Sequence, residues 1–260
     1  MAPQKSAAQT LLEKADKRAA SSGGWFSSNN SKWEEAGDLY QQAANAFKID
    51  KLFKDAGDAH AREAECRENC KEINDAANAW WNAAKAYKRG YPDCESSSGL
   101  VAFTRLNSCT VAIAALTHTV TFLTQAGRFR QAADREKEIA QIYIQEKQDL
   151  AKGCESYERA GEWYAQEDAT AYVLTRVVFR YPSSISSPHR TANACFKDAA
   201  DLHAELENYP AAIDRYDKVA TGSLGSNLTR YSVKEYWLRA GLCALAMKVC
   251  FQHLAPPHNL

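Results

Sequence analysis

No stretch of these 260 residues approaches 18 consecutive apolar side chains, so no membrane-spanning helix is expected. Neither sign of charge is in excess. Lys+Arg and Asp+Glu each total 32, which excludes global attraction to nucleic acid or anionic membrane and leaves recognition to local patches. No segment alternates with period two for long enough to argue a sheet. Glycine-rich phosphate loops, nucleophile elbows and zinc-type cysteine pairs are missing, and His60, His118, His189, His203, His253 and His258 form no spaced cluster. No active site, metal site or cofactor is therefore expected. The N-terminal MAPQKSAAQTLLEKADKRAA lacks the unbroken apolar core of a signal peptide. Eight cysteines scattered among helical patterns read as reduced thiols of a cytosolic protein, in which the sequons at Asn29 and Asn227 stay unused.

What is present is a helical phrase used twice. It reads AGDLYQQAANAFK from Ala36 and AANAWWNAAKAYK from Ala76, 40 residues on. In both, an aromatic (Tyr40, Trp80) precedes Ala-Ala at the third and fourth positions (Ala43 and Ala44, Ala83 and Ala84) and a second aromatic at the seventh (Phe47, Tyr87). Those positions share one helix face, on which methyls let a neighbour approach and rings grip it. The pattern returns at Tyr157, Ala160, Gly161 and Tyr164, and at Phe196, Ala199, Ala200 and His203. One such helix cannot bury its face alone, whereas a stack can. The expected fold is all-α, a tetratricopeptide-like right-handed helical solenoid of antiparallel helix hairpins.

In chain order, a first helix is expected over 1–20, from about Ser6 to Ala20, with Leu11, Leu12 and Ala15 on its buried side. A Gly/Ser-rich loop follows over 21–31 and carries Trp25 and Phe26 at its centre. Two readings stay open for those rings: they fold back to cap the first helix pair, or they enter the headgroup boundary of a membrane. The repeats should occupy 32–247, with Ala56-Gly57-Asp58 restating Ala36-Gly37-Asp38 and Pro210 suiting the first turn of a helix. Three stretches break the pattern. Cys94–Leu116 holds one acid and Ala171–Arg190 none, so both read as surface loops or as insertions of translated non-coding sequence; residues 248–260 form a divergent tail.

Cys66 and Cys70 stand four apart on one helix, a spacing better suited to packing than to metal, because no further ligands match it. Glu63, Glu65 and Glu68 lie in a run of mixed charge that reads as a solvated face. The basic residues say more. Lys48, Lys51 and Lys54 surround one helix end, Lys88 and Arg89 another, and Arg128, Arg130 and Arg135 a third. Singly, such residues complement helix C-termini. Recurring in successive turns, they predict a shared basic stripe for an acidic partner, one that weakens with salt.

The loop SSGGWFSSNNSKWEEAGDLYQQAANAFK, with DAANAWWNAAKAYKRG, QAGRFRQAADREKEIAQIY, CESYERAGEWY and TRYSVKEYWLRAGLCALAM in that order, resembles the soluble NSF attachment proteins, the α-type SNAPs, and most of all their fungal members. The resemblance covers about four-fifths of the chain and leaves out the three aberrant stretches. It implies a non-enzymatic, cytoplasmic, peripherally membrane-associated adaptor built as a twisted sheet of helix hairpins. Several copies would wrap the SNARE four-helix complex, basic residues on its acidic surface, and recruit the hexameric NSF ATPase to disassemble it. Trp25 and Phe26 then fall on the family's aromatic membrane loop. Lys51, Lys88, Arg89 and Arg128 fall near its basic face, together with the neighbouring Lys54, Arg130 and Arg135, and Lys197 lies one residue from another basic position. Asp134 stands where relatives carry lysine. Relatives continue to an acidic, leucine-containing C-terminus that stimulates the ATPase, so binding without stimulation is expected of these 260 residues. A general tetratricopeptide scaffold for acidic peptide tails is the other reading, and no nucleic acid is expected under either.

Overall fold

The structure, a computed structural model, describes the backbone at residues 6–21, 29–90, 99–179, 190–224 and 229–254, and side chains at 6–21, 30–90, 107–167, 191–224 and 229–247. Among these residues every regular element is helical. The chain divides into two compact units, Met1–Arg128 and Phe129–Leu260.

The first unit contains α1 (Ala7–Ala20), α2 (Asn29–Ile49), α3 (Phe53–Asn69), α4 (Ile73–Arg89) and α5 (Gly99–Gln125), each packed on the next in sequence. Ser6 opens α1 through a capping box: its hydroxyl accepts from the Gln9 backbone and the Gln9 side chain accepts from the Ser6 backbone. The rings and methyls of the repeated phrase face inward, as their spacing predicts. Phe47, Ala43 and Ala44 pack with Ala8, Ala56, Ala59 and Ala86, and Leu11 and Leu12 close over them. Neighbours on α4 and α5 run antiparallel, since Tyr87 meets Ser108 while Trp80 stacks on His118 at 4.6 Å between ring centroids.

The second unit contains α6 (Phe129–Gln145), α7 (Leu150–Phe179), α8 (Arg190–Glu205), α9 (Tyr209–Leu224), a 3-10 turn (Arg230–Ser232) and α10 (Val233–Leu254). Ala133, Ala160, Tyr164, Cys195, Phe196 and Val219 form one of its cores. Pro210 does sit in the first turn of a helix, α9.

Four helix ends close in the same way. At the end of α2 the Leu52 N–H reaches the Phe47 carbonyl and the Lys51 N–H the Lys48 carbonyl, a Schellman pair with Lys51 in the left-handed region at φ 60°. Lys71 (φ 63°), Gly127 (φ 71°) and Glu207 (φ 58°) occupy the equivalent place after α3, α5 and α8. In each case the residue after it (Leu52, Glu72, Arg128, Asn208) also precedes the next helix, which leaves no room for a longer loop. Within the units, α2 with α3, α3 with α4 and α8 with α9 pack as antiparallel neighbours.

A second device ties helices sideways. Tyr40 on α2 donates its hydroxyl to Asp16 on α1 at 2.7 Å, Tyr87 on α4 to Asp58 on α3 at 2.8 Å, and Tyr216 on α9 to Asp201 on α8 at 2.5 Å. Tyr164 on α7 does the same to Asp134 on α6. Burial first, and the adjacent aspartate second, push all four phenols above their ordinary pKa, so they keep the proton they donate. At two of these clamps an arginine from the following helix joins: Arg62 meets Asp16 at 2.6 Å and Arg239 meets Asp201 at 2.7 Å.

The Ala-Gly-Asp repeat has a physical reason. A side chain on Gly57 would stand 2.5 Å from the Tyr87 ring, so the bare backbone lets the ring lie across α3 while Asp58 holds its hydroxyl. Gly37 and Asp38 receive Arg67 in a similar way, the ion pair to Asp38 measuring 2.5 Å. Gly161 lies under Phe196, 2.6 Å from a hypothetical Cβ.

Several expectations need correction. Asn29, Asn30 and Ser31 open α2 and do not belong to the loop. The stretch Cys94–Leu116 is no surface loop from Gly99 onward: it is the first part of α5, with Ala112, Ile113, Ala115 and Leu116 buried. Between Asn107 and Leu116 half the positions are buried, and the exposed Thr110, Val111 and Ala114 carry no charge. Ala171–Phe179 completes α7, residues 180–189 lie outside the described residues, and α8 begins at Arg190. Residues 248–254, assigned to the tail, continue α10. Glu63 is not solvated: it is buried and sits 2.7 Å from Nδ1 of the buried His60.

Candidate functional site

The turn between α2 and α3 places Lys51 and Lys54 at the surface, and the last turn of α4 does the same for Lys88 and Arg89. Both turns lie at one end of the unit. A Cβ on Gly90, just past α4, would stand 3.5 Å from the Lys54 backbone nitrogen, so the two chain segments touch there. Lys48, in the last turn of α2, is half-buried, and its pKa falls below the ordinary lysine value. Burial is the main cause, followed by the positive charge of Lys85; Glu63 pulls the other way, and Arg89 adds the smallest push downward. Lys48 on α2 and Lys85 and Arg89 on α4 therefore share one electrostatic neighbourhood. Lys85 lies over the Trp81 ring at 3.3 Å from the centroid.

Lys51, Lys54, Lys88 and Arg89 make no ion pair with an acidic side chain among the described residues. Of the basic groups expected in one stripe, the structure brings these two together within the first unit. Arg128 is exposed too, but it follows the C-terminus of α5, whose direction is opposite to that of α4. The helix runs from Ser108, the neighbour of Tyr87, to Gln125, a rise of roughly 26 Å, before Arg128 is reached. Successive turns alternate ends in an antiparallel stack, which spacing along the sequence does not reveal.

In the second unit Arg130 is exposed. Arg135 instead bonds Glu138 at 2.7 Å, and Lys197 bonds Asp201 at 2.8 Å, with Asp198 at 3.5 Å. Burial raises the Asp201 pKa, but the hydrogen bonds from Lys197 and Tyr216 and the charges of Lys197 and Arg239 outweigh it, leaving the carboxyl below the ordinary range. Asp134 serves as the acceptor for Tyr164. Trp25 and Phe26 lie outside the described residues. Sequence reasoning missed Lys85, whose signal was its place three residues before Lys88 and four before Arg89, on the same helical turn.

Cys66 is buried, and burial pushes its thiol up to about 12; Cys70 donates to the Asn30 carbonyl at 3.6 Å. Both act in packing. Among the described residues no helix is long and apolar enough to cross a membrane.

The chain matches the sequence profile of a family described as soluble NSF attachment protein, SNAP, over residues 6–177 and 186–253. The match runs through 94–116 without a break and omits 178–185, within the second stretch that the resemblance left out. Vesicular-fusion protein SEC17 of Coprinopsis cinerea is 63% identical over 247 residues, which cover 95% of this chain and 73% of that protein. Alpha-soluble NSF attachment protein of Saccharomyces cerevisiae is 31% identical over 240 residues, covering 91% and 70%. The human protein of that name is 30% identical over 251 residues, covering 95% and 73%. A profile match over most of its length, joined to close identity with a fungal relative, shows that this chain belongs to the soluble NSF attachment protein family.

Proposed function

We propose that this chain is a non-enzymatic adaptor of intracellular vesicle traffic that binds assembled SNARE complexes and recruits the NSF ATPase for their disassembly. Family membership across both units carries the reading. The contact we infer is the end of the first unit where Lys48, Lys51, Lys54, Lys85, Lys88 and Arg89 gather, and their shared positive charge, suited to an acidic coil of helices, supports it. Arg128 in the first unit and Arg130 in the second would each be a further basic contact. Arg135 and Lys197, held by carboxylates, contribute less unless those pairs open. Trp25 and Phe26, between α1 and α2, would supply a shallow membrane anchor, each ring adding about 1.5–3 kcal/mol when buried. Attachment to membranes would be peripheral and on the cytoplasmic side. No observation favours the general scaffold for acidic tails over this reading.

The test is capture of a preassembled SNARE complex at low and high salt. Capture should be strong at low salt and fall as salt rises. The triple change Lys51→Glu/Lys54→Glu/Arg89→Glu should lower affinity at least about tenfold with the helical signal intact. Capture that ignores both salt and the triple change overturns the assignment of this face. Flotation with liposomes checks the anchor: Trp25→Ser/Phe26→Ser should leave the protein in the soluble fraction.

A further inference from the structure

Cys154 and Glu158 stand four apart on one face of α7, and His203 lies near the end of α8. One atom from each (the Cys154 sulfur, a Glu158 carboxylate oxygen, a His203 ring nitrogen) lies within 4.8 Å of the other two. None of these residues belongs to the basic face.

The surroundings suit a metal better than a chance encounter of side chains would. Cys154 is buried, and its thiol donates to the Ala199 carbonyl at 3.4 Å, which fixes the sulfur against α8. Glu158 uses Oε1 to accept from Arg215 at 2.7 Å and to meet His203 Nε2 at 3.3 Å. Its Oε2 accepts no hydrogen bond among the described residues. The arginine therefore orients the carboxylate without occupying both oxygens. The Asn208 amide lies 3.5 Å from His203 Nδ1. Turned to present its oxygen, it would hold the proton on Nδ1 and leave the Nε2 lone pair facing Cys154 and Glu158.

We propose that Cys154, Glu158 and His203 form a binding site for Zn2+, with water as the fourth ligand, that ties α7 to α8. Sulfur, nitrogen and one carboxylate oxygen are a zinc set and a poor one for calcium or magnesium. Bonds of about 2.0–2.3 Å hold tetrahedral donors roughly 3.3–3.6 Å apart, so the site closes by small side-chain rotations. When the sulfur–metal bond forms, the thiol proton leaves to solvent. The thiolate and carboxylate then balance the ion's two positive charges, and Arg215 keeps its place on Oε1.

The experiment titrates the reduced 260-residue chain with Co2+, a spectroscopic substitute for zinc. A thiolate-to-cobalt charge-transfer band should grow in and be abolished by one equivalent of Zn2+. Cys154→Ser should lose the band, and His203→Gln should weaken cobalt binding at least about tenfold, each variant first shown to be folded by circular dichroism. If Cys154→Ser does not fold, His203→Gln and Glu158→Gln decide. The site is overturned by no band in the unaltered chain, by a band that survives Cys154→Ser on some other cysteine, or by His203→Gln binding as tightly as the unaltered protein.

Discussion

Four cations at one end of the first unit stand open, whereas Arg135 and Lys197 in the second are tied into carboxylates. Lys51, Lys54, Lys88 and Arg89 are exposed without an acidic partner among the described residues, while Arg135 holds Glu138 and Lys197 holds Asp201. The number of positive charges does not account for this. Lys54 has an aspartate four residues on, as Lys197 does, but Asp58 bonds the Tyr87 hydroxyl and not the lysine. Asp201 accepts from Tyr216 and has capacity for Lys197 and Arg239 as well. The same tyrosine–aspartate clamp thus includes a lysine four residues before the aspartate in one unit and not in the other.

The largest effect should come from the glycines under the rings. Gly57→Val would drive a branched side chain into Tyr87, and Gly161→Val into Phe196. Each should cost roughly 3 kcal/mol. Gly241 on α10 stands in the same Arg-Ala-Gly context as Gly161, yet nothing lies within 4 Å of where its Cβ would be. Gly241→Ala should therefore stabilise, by up to about 1 kcal/mol, through helix propensity alone. Thermal unfolding of the three variants checks the signs. Destabilisation by Gly241→Ala to the extent of the other two would break the distinction between filled and open ring slots.

Next in size is Asp201→Asn, which weakens bonds to Tyr216, Lys197 and Arg239 together and should cost roughly 2 kcal/mol near neutral pH. The pH dependence has a definite sign. The folded-state pKa lies below the ordinary aspartate value, so the contribution is complete above that ordinary value and is lost as pH falls through the lower, folded one. Glu158 behaves alike: burial raises its pKa, but Arg215 and His203 lower it further. Unfolding of the unaltered chain should therefore steepen in acid, and Asp201→Asn should flatten that limb. Parallel acid limbs would show that Asp201 is not a source of the stability.

Charge reversal sharpens the comparison as binding against folding. Lys51→Glu/Lys54→Glu/Arg89→Glu should weaken SNARE-complex capture at least about tenfold, equivalent to about 1.4 kcal/mol, with little change in unfolding temperature. Lys197→Glu should do the reverse, since it puts a third carboxylate beside Asp198 and Asp201. Equal loss of capture from both would mean that the Lys197 pairs open on binding.

Much of this was legible in the sequence, for reasons visible at particular residues. Tyr40, Ala43, Ala44 and Phe47 are buried together because helical period alone fixes their common face. Pro210 and the Ala-Gly-Asp repeat marked a helix start and a close crossing. Other features depended on partners that local pattern cannot show. Glu63 reads as surface until His60 is seen facing it in the interior. The uncharged stretch before Leu116 reads as a break because its partner surface is supplied by α4. Arg128 joined the wrong group because the end of a stack to which a turn belongs depends on helix direction, and this has no signature in residue spacing. The pairing of Lys197 with Asp201 was open to inspection, at i and i+4 on α8, as was that of Arg239 with Glu235 on α10.

The smallest effect concerns the left-handed turn residues, where the two units should respond alike. Lys71 after α3 and Glu207 after α8 hold φ of 63° and 58°, a region in which a Cβ crowds the following carbonyl. Neither belongs to the basic face or to a clamp. Glycine removes the crowding but gains freedom in the unfolded chain, so each of Lys71→Gly and Glu207→Gly should stabilise by only about 0.5–1 kcal/mol. Gly127, already glycine at φ 71°, supplies the internal standard: Gly127→Ala should destabilise by a similar amount, since space is open around it and only the backbone objects. Denaturant midpoints measured on the three variants decide the matter. Stabilisation at Lys71 with loss at Glu207 would mean that the turn geometry is not shared, and the equivalence of the hairpin ends, on which the contrast in their charges rests, would fail.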